Sequence, residues 1–139
     1  MARILIVDDE AGVRSTLRSM LERRGYEVAE AADGDECLRV LDGSGADLVL
    51  LDILMPRREG LETLNALRKE GRGTPVIAMS GGGSIALEVL LKSASVLGAC
   101  EALDNPIRVD ALVAAVERGL AGRSSPGPDR ASLGAQELA

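Results

Sequence analysis

Five short strand-like runs, at 3–7, 27–31, 48–51, 76–79 and 100–103, alternate with segments whose apolar residues recur at helical spacing. That alternation leaves few folds open. Strands that each feed a helix before the next strand begins make βαβ units, and such units assemble into parallel sheets covered on both faces. The run Leu48-Val49-Leu50-Leu51 has no polar residue, as a central strand buried on both sides requires. The expected architecture is α/β, a doubly wound five-stranded parallel sheet with five helices.

The helical segments have recognisable ends. The first spans 10–24, with Val13, Leu17, Met20 and Leu21 on one face and Gly25 as a left-handed cap. Asp33-Gly34 opens a second, through Cys37, Leu38 and Leu41, and Asp42-Gly43 stops it. A third covers 61–69 with Leu61, Leu64 and Leu67 inward, and a fourth covers 85–96. The last covers 109–120, with Leu112, Val113, Val116 and Leu120 as its apolar stripe. Beyond Leu120 the composition turns to Gly122-Arg123-Ser124-Ser125-Pro126-Gly127-Pro128, which buries too little surface to order itself. The chain is therefore expected to form one folded domain over 1–121 and a flexible C-terminal tail over 122–139.

Composition excludes several functions. Tyr26 is the sole aromatic and the net charge is −6, so there is neither a stacking platform nor the basic face that direct nucleic-acid binding needs. No apolar stretch approaches the roughly 20 residues of a membrane span, and the N-terminus lacks a signal-peptide layout, so a cytoplasmic protein is expected. The absence of His removes the commonest general base and, with it, triad chemistry and most zinc sites. Cys37 and Cys100 lack CxxC spacing and read as two inert buried thiols.

Acids stand where two strands end. Asp8-Asp9-Glu10 follows the first strand and Asp52 the third. If those strands are neighbours, the carboxylates meet at one sheet edge, where like charges resist joint ionisation unless a cation joins them. Mg²⁺ suits such a place, since it takes one or two carboxylates plus water and phosphate oxygens. Ser80 follows the fourth strand and Asn105 the fifth, and ligands of doubly wound sheets bind beyond the carboxyl ends of the strands. Each residue also has a plain structural role: Asp8 or Asp9 as a helix cap, Asp52 as loop chemistry, Ser80 and Asn105-Pro106 as turn formers. Their joint placement is what favours a Mg²⁺-assisted phosphoryl site.

These residues resemble the receiver domains of bacterial two-component response regulators over about residues 2–121. The motifs are Ile4-Leu5-Ile6-Val7-Asp8-Asp9-Glu10, Leu50-Leu51-Asp52-Ile53-Leu54-Met55-Pro56 with Gly60, Ala78-Met79-Ser80-Gly81, Gly98-Ala99 and Asn105-Pro106. The resemblance implies a flavodoxin-like sheet of strand order 2-1-3-4-5, and because the residues after the domain are too few for an output domain, a stand-alone receiver working through protein contacts is expected. The resemblance also implies that Asp52 is the phosphoacceptor, that Asp8, Asp9 and Asp52 hold Mg²⁺ with the Leu54 carbonyl completing the shell, and that Ser80 is the switch hydroxyl. The phosphohistidine donor must then belong to a partner histidine kinase or phosphotransfer protein, because this chain has no His. A downstream target protein is implied as well. Catalysis would be limited to self-phosphorylation and autodephosphorylation at Asp52.

Two positions depart from the family. Asn105 stands where most receivers carry Lys, and Ala102 where many carry an aromatic. A unit charge about 4 Å from a phosphoryl group is worth up to ~4 kcal/mol at an effective dielectric of 20, against about 1 kcal/mol net for a neutral hydrogen bond. Lys92 and Arg108 are possible replacement cations, and both read better as surface charges. The alternative function is therefore a degenerate receiver serving as a docking module independent of phosphorylation. A flavin carrier of the same topology fits poorly, since Asp8 and Asp9 would repel its phosphate. A phosphatase with an aspartate nucleophile would want acids on alternate positions rather than adjacent ones.

Overall fold

The computed structural model describes residues 2–52, 59–69, 73–80, 101–104 and 108–124. In chain order these form β1 (Arg3–Val7), α1 (Ala11–Glu22), β2 (Glu27–Ala31), α2 (Gly34–Asp42), β3 (Leu48–Asp52), α3 (Glu59–Lys69), β4 (Val76–Ser80), β5 (Glu101–Asp104) and α4 (Val109–Ser124). The strands pair in parallel in the order β2-β1-β3-β4-β5. The helix expected over 85–96 lies outside the described residues.

Side-chain alternation divides the core into two layers. On one face Leu5 and Val7 of β1, Val49 and Leu51 of β3 and Val76 and Ala78 of β4 pack with Cys37 and Leu41 of α2 and Leu64 and Leu67 of α3. On the other, Ile4, Ile6, Leu48, Leu50, Ile77 and Met79 pack with Leu17 and Leu21 of α1 and Leu112, Ala115 and Val116 of α4. Period-two strands thus send successive residues into opposite cores, so both faces of β1 and β3 must be apolar. β3 is buried at every position. Cys37 is fully buried, as expected, while Cys100 lies outside the described residues.

Local signals explain the element ends. α1 stops at Glu22, two residues short of its expected end, and Gly25 takes φ 91°, the left-handed conformation that an L side chain resists. Asp33 caps α2 by accepting the Glu36 N–H at 2.8 Å, while the Glu36 carboxylate accepts the Ala32 N–H at 2.6 Å. After α2 the chain turns at Gly45, φ 78°, on the rim where the strands begin. The last helix extends past its expected end at 120. It runs to Ser124, through positions assigned to the tail, because Ala121 and Arg123 are good helix formers and the first strong stop in the sequence is Pro126.

Candidate functional site

Sheet register brings the acids together. Val7 of β1 is level with Leu51 of β3, so the next residue on each strand, Asp8 and Asp52, emerges at the same carboxyl edge. Oxygens of Asp8, Asp9 and Asp52 all lie within 4.8 Å of one another. Asp8 and Asp52 are buried, and Asp9 is exposed. Two of the three carboxylates are therefore held away from water beside a third that faces it.

The backbone holds this cluster in place. The Asp8 N–H extends the ladder by donating to the Ala31 carbonyl at 3.1 Å. One Asp8 oxygen accepts the Glu10 N–H at 2.8 Å, just before α1. Glu10 is the N-cap residue of that helix and no side chain caps its first turn, so the plain capping role expected of Asp8 or Asp9 is not what holds them here. Burial pushes the Asp8 carboxyl above its ordinary 3.8. The Glu10 N–H opposes that push, the charges of Asp9 and Glu10 add to it, and a hydrogen bond with Asp52 again opposes it. A site that resists full ionisation, built only from hard oxygen donors, suits a small divalent cation.

The other expected site residues are placed in part. Ser80 closes β4 one step beyond Met79, which is level with Asp52, and Ser80 itself is level with Asp104 at the end of β5. Ala102 pairs with Ala78. Leu54 and Asn105 lie outside the described residues, as do the Gly81-Gly82-Gly83 turn and Lys92. Arg108 is exposed and pairs with Asp110 at 3.2 Å, so it is the surface charge that its position implied.

Sequence reasoning missed the cations behind the acids. Arg14 of α1 donates through Nη1 to the Asp8 carbonyl at 2.6 Å and through Nε to Glu30 of β2 at 2.9 Å. Arg18, one turn on, donates to the other Glu30 oxygen at 2.8 Å and to the Val28 carbonyl at 2.7 Å. The available signal was Glu30, a charge two residues after Val28 on the strand face that α1 covers.

Comparison with known proteins agrees with this geometry. The response regulator receiver domain model matches residues 4–117. Response regulator MprA of Mycobacterium sp. (strain KMS) is 38% identical over 133 residues, 94% of this chain and 56% of that protein. Transcriptional regulatory protein CpxR of Escherichia coli (strain K12) is 41% identical over 116 residues, 84% of this chain and 48% of that protein. The chain thus spans about half the length of these curated relatives. Among solved structures, the receiver domain of NtrX from Brucella abortus superposes with a TM-score of 0.77 at 34% identity, covering 84% of this chain and 97% of that one. Chemotaxis protein CheY4 of Vibrio cholerae does so with a TM-score of 0.76 at 30% identity, covering 86% and 99%.

Proposed function

The chain belongs to the response regulator receiver domain family of two-component systems, and on that footing we propose that Asp52 accepts a phosphoryl group from a partner histidine kinase or phosphotransfer protein. The observation that carries this reading is the convergence of Asp8, Asp9 and Asp52 at the carboxyl edge of neighbouring parallel strands. Asp8, Asp9 and Asp52, with the Leu54 carbonyl, would hold Mg²⁺. When bound, the ion neutralises the clustered carboxylates and offsets charge on the phosphoryl oxygens.

The chain's own residues do the rest. Asp52 is the nucleophile: an oxygen of its carboxylate forms the new O–P bond as the P–N bond of the donor phosphohistidine breaks, and the imidazole leaves with that electron pair. Burial of Asp52 limits the water that reaches the resulting acyl phosphate. Ser80, at the adjacent strand end, would donate its hydroxyl to a phosphoryl oxygen, and Asn105 would offer a neutral amide where most receivers offer a cation. The full receiver architecture, including a helix over 85–96 and a tail beyond the domain, forms part of this reading, as does a cytoplasmic setting. Output would pass to a downstream protein through surface contacts.

Incubation with Mg²⁺ and a small-molecule phosphodonor, followed by intact mass measurement, tests the proposal. A single phosphoryl adduct is expected, lost on Asp52→Ala and on removal of Mg²⁺. No adduct on the native chain would sink it and favour the phosphorylation-independent docking module, the reading that Asn105 supports.

A further inference from the structure

We infer that Arg14 is a positioning residue for the metal-binding acids, acting through the peptide that joins Asp8 to Asp9. This deepens the reading above and rests on it. The Asp8 carbonyl and the Asp9 N–H share one rigid plane, so whatever fixes that oxygen also fixes the direction in which Asp9 leaves the strand. Arg14 fixes it with a charge-assisted bond of 2.6 Å, just past the last registered β1 pair, Val7 with Ala31. Asp8 is already held by burial and by Glu10, whereas Asp9 is exposed and depends on its backbone for aim.

Arg14 is itself held. Its Nε is 2.9 Å from Glu30, in an ion pair whose side chains are 17% and 26% exposed. The second Glu30 oxygen is taken by Arg18, which also reaches the Val28 carbonyl, so the strap runs from the acid loop across α1 to the backbone of β2. Only a planar guanidinium can serve carbonyl and carboxylate together with fixed angles. Groups that orient metal ligands in this way typically change metal affinity 10–100-fold when removed.

The effect has a sign that separates positioning from simple charge. A cation near a metal site repels the metal, so if Arg14 acted by charge alone its neutralisation would tighten Mg²⁺ binding. As a positioning residue, its loss weakens binding. The chain has no tryptophan, so calorimetric titration with Mg²⁺ is the suitable measurement, alongside thermal melting of the ion-free protein. Arg14→Gln is expected to raise the Mg²⁺ Kd about tenfold. Arg14→Lys, which keeps the charge but not the fork, is expected to fall between it and the native chain. Glu30→Gln loosens the strap from its other end and is expected to weaken binding several-fold, an effect that persists at high salt where bare charge effects are screened. It also stands in should an Arg14 variant fail to fold. No Mg²⁺ uptake by the native chain would overturn the metal-site reading itself. Uptake by the native chain with equal or tighter binding in the folded variants would overturn this inference alone.

Discussion

At the scale of single residues, Asp8 contributes a pH response of definite sign. Its carboxyl is raised above 3.8, so the folded protein holds that proton more tightly than the unfolded chain does. The associated stability is complete below the ordinary value and drains away as pH climbs through the raised one. Relative to Asp8→Asn, which lacks the titrating group, the ion-free native protein should therefore lose Tm as pH rises above the ordinary carboxylate range. In the proposed site Mg²⁺ would compete with that proton, so the Tm rise it produces should grow as pH rises, as melting in paired buffers would reveal. Asp52→Asn removes one of three clustered charges, a relief on the order of 1 kcal/mol even at the dielectric of bulk water. For a domain of this size that amounts to about 4 °C of added Tm in ion-free buffer, accompanied by loss of the Mg²⁺ response. The meeting of Asp8 and Asp52 was legible in the sequence because both follow strands, and strand ends in a parallel sheet share an edge. The part played by Arg14 and Glu30 was not, because arginines one turn apart on a helix and a charge in a strand look like solvated surface until β2 is seen to lie under α1.

At the scale of elements, the entry to α2 concentrates two devices. Asp33→Ala removes the cap on Glu36 and should cost about 1 kcal/mol, read as a lower urea midpoint with an unchanged slope. Gly34→Ala would ordinarily favour a helix start, but an added Cβ would overlap the Oγ1 of buried Thr63 in α3. The substitution should therefore destabilise by about 1–3 kcal/mol, and pairing it with Thr63→Ala should recover part of the loss in a double-mutant cycle. Strand positions were readable from the sequence because the same alternation that makes a strand also sorts it into two cores. Helix ends were less so: Gly25 marks the turn after α1 but not where the last helical bond is made, and neither Gly119 nor Gly122 interrupted α4, because a helix tolerates a glycine at a cost of about 1 kcal/mol each.

At the scale of the whole molecule, one sheet serves both cores, so neither layer should melt without the other. Cys37 lies in the layer opposite α1 and α4, fully buried. In a Cys100→Ser background, its reaction with a thiol reagent should begin at the same urea concentration at which far-UV circular dichroism is lost. Reaction well below that midpoint would mean that the α2 side opens on its own. A parallel sheet also has two unlike rims. The clustered acids occupy one, while the turn at Gly45 belongs to the other, with open space around it and exposed Ser44 beside it. A dye or surface tether attached through Ser44→Cys, in the same Cys100→Ser background, would leave the acidic rim unobstructed, so encounters with the proposed partner kinase could be timed on an anchored chain without the anchor competing for its approach.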